Sequence, residues 1–253
     1  MRDWGVRLAT AVAMAMGWAG SAAAEPGLAN QVYAPYPRNG VTELEVRGGR
    51  YLGGAAAGDS AAVVELEHGF GDRLSLAVLG EFEDQPGARR KLDSVGLEGV
   101  AYLGQVPGTG VDVGGYLEYE QRLHNESGLV EAKLLLARRF GPVQGLVNLI
   151  AQQPLTRRDG EGAAQLGYAA QGTLDAGHGV QVGVQAFGAL GTNRAPGGSQ
   201  AHFLGPMVRW EFRPAGRKAG EFELEAGWLA AVGAARRDTD GQVRFALEWE
   251  TRF

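Results

Sequence analysis

The chain ends Val243-Arg244-Phe245-Ala246-Leu247-Glu248-Trp249-Glu250-Thr251-Arg252-Phe253. Val243, Phe245, Leu247, Trp249, Thr251 and Phe253 share one parity, and Arg244, Glu248, Glu250 and Arg252 the other. Successive strand residues point to opposite faces, so this stretch predicts a strand with one apolar and one charged side. A soluble sandwich also alternates, and length separates the cases. Soluble strands average about five or six residues, whereas a tilted strand crossing a bilayer needs about nine to eleven. This stretch falls in the longer class.

Working back, the same pattern repeats from Val41 in about twelve segments of about ten to thirteen residues, separated by Gly, Pro, Asp and Asn. Leu74, Leu76, Val78, Gly80 and Phe82 oppose Ser75, Ala77, Glu81 and Glu83. Val111, Val113, Gly115, Leu117 and Tyr119 oppose Asp112, Glu118 and Glu120, and Val180, Val182, Val184 and Ala186 oppose Gln181 and Gln185. Tight links, Gly69-Phe70-Gly71-Asp72 and Phe140-Gly141-Pro142, alternate with long ones over 84–93, 153–162 and 191–201. Short periplasmic turns and longer external loops are the habit of bacterial membrane barrels. The prediction is an all-β fold, a single-chain antiparallel transmembrane barrel of about twelve strands, with ten or fourteen as the alternatives. The links 105–109 and 213–220 are long for the periplasmic side.

Aromatics on the apolar parity cluster near strand ends. Phe70, Phe140, Trp210, Phe212, Phe222, Trp249 and Phe253 suit a periplasmic girdle, and Phe82, Tyr119 and Phe245 an external one. A strand that closes the chain on Phe253, with Trp249 before it, resembles the terminal aromatic signal read by the barrel assembly machinery.

Residues 1–24 run from Arg2 and Arg7 through an apolar stretch, Leu8 to Gly20, to Ala22-Ala23-Ala24 before Glu25. That order is a cleaved secretory signal. Gly17, Gly20 and Ser21 break the apolar run before it reaches the roughly 18 residues of a membrane helix. The expected division is a signal peptide over 1–24, a periplasmic N-terminal segment over 25–40, and the barrel over 41–253. The sequence has no cysteine, so it holds neither a lipoprotein anchor nor disulfides. Among 253 residues, 41 are glycine and the net charge is −5. Glycine is spread through the strands without a collagen-like period, and no basic block suggests nucleic acid.

Val32-Tyr33-Ala34-Pro35-Tyr36 leading to Glu43-Leu44-Glu45, and Glu65-Leu66-Glu67-His68-Gly69-Phe70-Gly71-Asp72-Arg73-Leu74, resemble proteobacterial barrels related to the phenol-degradation meta-pathway outer-membrane family. Tyr116-Leu117-Glu118-Tyr119 and Gly205-Pro206 before Trp210 fit the same group. The resemblance implies a porin-like or transport role and carries no residue-level mechanism.

With the apolar parity toward lipid, the other parity lines the lumen. Glu43 and Glu45, Glu65 and Glu67, Glu81 and Glu83, Glu221, Glu223 and Glu225, and Glu248 and Glu250 place acids on the last two strands and the first three. Closure makes these one acidic sector, with Arg47, Arg73, Arg244 and Arg252 interleaved. Strands seven to nine present Gln144, Asn148, Gln152, Gln165, Gln171, Gln181 and Gln185, an amide wall suited to a hydroxyl-rich or zwitterionic solute. A barrel of this size lies between filled and open cases. The leading reading is a narrow, modestly cation-preferring channel for small polar solutes. A sealed structural or adhesion barrel is the alternative.

Catalytic and metal patterns are sparse. His68, His124, His178 and His202 are isolated, so neither a metal site nor a cofactor is expected. Asn193, Ser199 and His202 share a long link and would be the triad of a third reading, a membrane-embedded hydrolase. Gly108-Thr109-Gly110 precedes a strand rather than a helix and lacks a phosphate-binding dipole. Asn125-Glu126-Ser127 reads as a turn. Arg89-Arg90-Lys91, Arg157-Arg158 and Arg236-Arg237 lie in external links, as solubilising charge or as contacts to lipopolysaccharide phosphates. The partners this implies are outer-membrane lipid, lipopolysaccharide, the assembly machinery and a small polar solute.

Overall fold

A computed structural model describes residues 27–84, 91–123, 128–155, 162–198, 200–214 and 220–252. The strands are β1 (Val41–Leu52), β2 (Ser60–Gly69), β3 (Leu74–Asp84), β4 (Lys91–Val106), β5 (Val111–Arg122), β6 (Leu129–Phe140), β7 (Val143–Pro154), β8 (Gln165–Gly177), β9 (Val180–Thr192), β10 (Ala195–Pro196), β11 (Ala201–Phe212), β12 (Glu221–Gly233) and β13 (Gly241–Arg252). Every pairing is antiparallel between chain neighbours, except that β10 only folds back on the end of β9 and β11 takes the place beside β9. The circle closes where β1 pairs β13 from Val41↔Arg252 to Leu52↔Gly241. All but β10 of the 13 strands are full-length, so the wall has the expected twelve. One 3-10 turn, Ala234–Arg237, precedes β13.

Alternation sorts the faces as the sequence predicts. Leu76, Val78, Leu97, Leu117, Val184, Leu204 and Leu247 are exposed, Leu117 at 61%, while their neighbours Ser75, Ala77, Glu98, Tyr116 and Gln185 are buried. Exposed leucine and valine on each of the twelve full-length strands form the lipid-facing band a bilayer requires. Phe70, Phe140, Trp210 and Trp249 are exposed at the end with the tight links, where Trp210, Phe212 and Phe222 stack at 4.6 and 5.4 Å. Tyr119, Phe245 and, unforeseen, Trp228 are exposed toward the other end.

The tight links include Gly177-His178-Gly179, where all three residues have positive φ, 56° at His178. Glycine reaches that region freely and histidine does not.

The interior departs from expectation in two ways. It is not polar throughout: Tyr51, Val63, Phe187, Phe203 and Leu229 point inward and are buried. Nor is the N-terminal segment outside the barrel: residues 27–40, expected in the periplasm, run down its lumen. Leu28, Ala29 and Val32 join that apolar cluster, and a solvated strand-less segment would have left them in water.

Candidate functional site in the lumen

Pro35 and Pro37 keep the luminal segment from adding to the sheet, because proline has no N–H for a ladder. It is seated instead by inward glycines. A Cβ at Gly49 would lie 2.5 Å from the carbonyl oxygen of Leu28, one at Gly114 2.6 Å from Pro35 Cβ, and one at Gly69 2.0 Å from the carbonyl oxygen of Arg38. The Asn148 amide grips the main chain at mid-depth: Tyr33 N–H donates to Asn148 Oδ1 at 2.7 Å, and Asn148 Nδ2 donates to Tyr33 O at 2.9 Å. The Tyr33 ring lies 4.7 Å from that of Tyr116, and Lys133 Nζ sits 4.2 and 4.0 Å above the two rings. Gln31 donates to Glu45 at 2.7 Å, Arg47 to Ala29 O at 2.9 Å, and Tyr36 to Asp112 at 2.9 Å. Arg38 ends the segment between Glu43, at 3.2 Å, and Glu250.

Cross-strand register arranges the acids in two rows. One runs Glu221↔Glu250, Glu250↔Glu43, Glu43↔Glu67, then across Ala77 to Glu98, Glu118 and Glu131. The other runs Glu211↔Glu223, Glu223↔Glu248, Glu248↔Glu45 and Glu45↔Glu65. The expected acids are thereby brought together, except that Glu81 stands apart opposite Val63 and Ser94, Glu83 opposite Ala61 and Lys91, and Glu225 lies opposite Arg209. Glu98, Glu118, Glu131 and Glu211 belong to the rows and were not among the expected acids. The signal for them was the inward parity of β4, β5, β6 and β11, with single glutamates on β4, β6 and β11 and a doublet, Glu118-x-Glu120, on β5; the expectation followed acids only on the first three and last two strands.

Like charges opposite one another are destabilising, and part of the wall compensates. Arg47 bridges Glu45 at 2.7 Å and Glu65 at 2.5 Å. Arg209 bridges Glu223 and Glu225, both at 2.8 Å, and Lys133 pairs with Glu131 at 2.8 Å. Arg213 pairs with Glu221 at 2.7 Å near the rim. Of the arginines expected among the acids, Arg47 alone makes such a bridge with the described residues, and Arg38 and Arg209 were not anticipated. Arg244 lies 4.0 Å over the Phe187 ring, and Arg252 is exposed.

The amides face inward, but several are engaged within the wall. Gln185 donates to Gln171 at 2.9 Å and to Glu225 at 2.5 Å, Gln181 to Glu211 at 3.0 Å, and Gln152 to Glu131 at 2.5 Å. Asn148 holds the luminal segment. Gln144 and Gln165 are half-buried. The arrangement braces acids and segment more than it offers a free solute-binding wall.

At the long-loop end a cavity of about 280 Å³ opens between Tyr51, Phe203, Asp59, Asp238 and Thr239, floored by the Tyr51–Phe203 stack at 5.7 Å. The hydrolase triad is not assembled by the described residues: His202 sets its ring nitrogens against Tyr168 at 3.3 Å and Gln200 at 3.2 Å, and Ser199 lies outside them. The signal peptide, His124, Asn125-Glu126-Ser127, Arg89-Arg90, Arg157-Arg158 and Phe253 also lie outside the described residues.

No family profile matches the chain, and no curated protein matches it at the sequence level. Solved structures do. An outer membrane channel from Pseudomonas putida F1 superposes with a TM-score of 0.57 at 14% identity, over 85% of this chain and 96% of that one. NanC porin gives 0.56 at 10% identity, over 83% and 99%. KdgM porin gives 0.53 at 10% identity over the same shares. The fold is that of a porin-like outer-membrane β-barrel. These likenesses establish the architecture and leave the work of the lumen to its residues.

Proposed function

We propose that the protein is a porin-like channel of a Gram-negative outer membrane that passes small polar solutes with a modest preference for cations, and that residues 27–40 set the width of the passage. The carrying observation is the pair of glutamate rows around the lumen. Acids set opposite one another cost stability, and a low-dielectric wall lined with them focuses a negative potential that concentrates cations. With the tight links in the periplasm, Arg38 and Glu250 stand at the inner mouth and the Tyr51–Phe203 cavity at the outer one. The strings that resemble barrels related to the phenol-degradation meta-pathway family support the same transport role, and nothing in the lumen assembles an enzyme's catalytic set from the described residues.

The test is the reversal potential of the purified barrel in a planar bilayer under a salt gradient. Glu223 and Glu225 are poor targets because their loss strands Arg209. Glu81→Gln with Glu248→Gln removes acids outside the described ion pairs. The wild type should favour cations, and the double variant should move toward the unselective value with most of its conductance kept. Selectivity should fade toward about 1 M salt, where the screening length is about 3 Å. Anion preference in the wild type, or unchanged selectivity in the variant, refutes the reading.

The bonded luminal segment favours a second reading, a sealed barrel whose external loops carry the activity. Conductance with and without residues 28–36 separates the two: a channel conducts with the segment in place and more once it is deleted, whereas a barrel sealed by the segment conducts only after the deletion.

A further inference from the structure

We propose that Glu65, Glu67 and Glu98 form a binding site for a divalent cation, calcium by its carboxylate ligands, in the lumen wall. Glu65 and Glu67 stand on β2 and Glu98 on β4, with β3 between them. Strands two apart are separated by about 10 Å, and the intervening inward residue at this level is Ala77, opposite Glu67 on one side and Glu98 on the other. Its methyl leaves room for glutamate arms from both strands to meet above it. The three carboxylates each bring an oxygen within 4.8 Å of the others. That limit lies within the span of a calcium coordination sphere, whose radius is about 2.3 to 2.6 Å, and a cage of protein carboxylates suits calcium, whereas magnesium usually keeps several of its waters.

A second observation points to a ligand. Glu98 is 2% exposed. Its Oε2 accepts the hydroxyls of Tyr33 at 3.2 Å and Tyr116 at 2.8 Å, whereas its buried Oε1 has no hydrogen-bond partner. Buried acceptors without partners are rare and call for an explanation such as an ion. Charge agrees: Glu45, Glu65, Glu67, Glu98 and Glu118 surround the place, against Arg47 and Lys133. Arg47 occupies Glu65 Oε2 and Glu45 Oε1, which leaves the other Glu65 oxygen for an ion, and Lys133 is drawn to Glu131. The neighbouring trio Glu43, Glu45 and Glu248 also brings its oxygens within 4.8 Å of one another, but Arg38 and Arg47 neutralise it and no orphaned oxygen among the described residues marks it. A cation at the first trio would tie β2 to β4 and, through Tyr33, steady the luminal segment where Asn148 grips it.

The site does not depend on the channel reading, and its test involves no conductance. The full barrel, refolded in detergent, is titrated with terbium, and luminescence sensitised by the protein's tyrosines is followed, Tyr33 and Tyr116 being bonded to Glu98 itself. One saturable class displaced by calcium is expected. Glu98→Gln and, separately, Glu67→Gln should weaken it by about tenfold or more, since charge count sets such affinities. Asp72→Asn, in a tight link, should leave it unchanged. Absence of a saturable class, wild-type affinity in both glutamine variants, or equal weakening by Asp72→Asn overturns the proposal. If Glu98→Gln fails to give a heat-modifiable barrel, Glu67→Gln decides alone.

Discussion

Truncating Asn148 to alanine should release the luminal segment without opening the wall. The side chain makes two hydrogen bonds, 2.7 and 2.9 Å, to the main chain of Tyr33, a residue only 7% exposed. Alanine leaves one N–H and one C=O in the lumen without partners, each worth about 1 to 3 kcal/mol. Water entering the lumen keeps the sum near the low end, about 2 to 3 kcal/mol. At about 1.4 kcal/mol per tenfold, the undocked population rises roughly 30- to 150-fold. Because the chain has no native cysteine, Val32→Cys gives a clean reporter at a position 6% exposed when docked. With re-docking faster than modification, its maleimide labelling rate tracks the undocked fraction. Adding Asn148→Ala should speed labelling by that factor while the barrel stays heat-modifiable. An acceleration below about threefold, less than 0.7 kcal/mol, would refute the assigned grip.

Val182→Arg and Val113→Arg should each cost about 2 to 4 kcal/mol in reversible unfolding from lipid vesicles, whereas Gln181→Arg, facing Glu211, should be tolerated; equal costs would mean the faces are misassigned. Removing Phe253, or Phe253→Asp, should lower assembled barrel in the outer membrane while leaving export intact, and normal levels of heat-modifiable protein would count against its role as an assembly signal. At the left-handed position 178, His178→Val should lose about 1 to 2 kcal/mol and His178→Gly almost nothing, read from the same unfolding transitions; a tolerated valine would contradict that backbone.

The wall was legible because lipid and lumen impose period two on every strand, as at Leu74, Leu76 and Val78 against Ser75 and Ala77. The luminal segment was not, because its residues follow no period: Leu28, Val32 and Tyr33 gain their partners only from strands that are distant in sequence. The clues were indirect, namely apolar residues in a segment assigned to water, and glycines at inward positions 49, 69 and 114. The acidic sector was half legible. Doublets such as Glu43-x-Glu45 show in one dimension, but the meeting of Glu98 with Glu65 and Glu67 depends on strand register and on a small residue at Ala77. Phe187 and Phe203 sit on the inward parity, where an assumption of uniform polarity hid their packing against Tyr51 and Arg244.

Arg38 has a further consequence for how the molecule is made. Its two carboxylate partners, Glu43 and Glu250, lie on β1 and β13 and face each other directly across the line where the first and last strands meet. Before that line is joined, one of the two acids is missing, and the guanidinium has at most half of its clasp. The segment is therefore fastened at its lower end by the same event that finishes the wall. Arg38 works like the catch of a bracelet, which holds its pendant only when the two ends of the chain have been brought together.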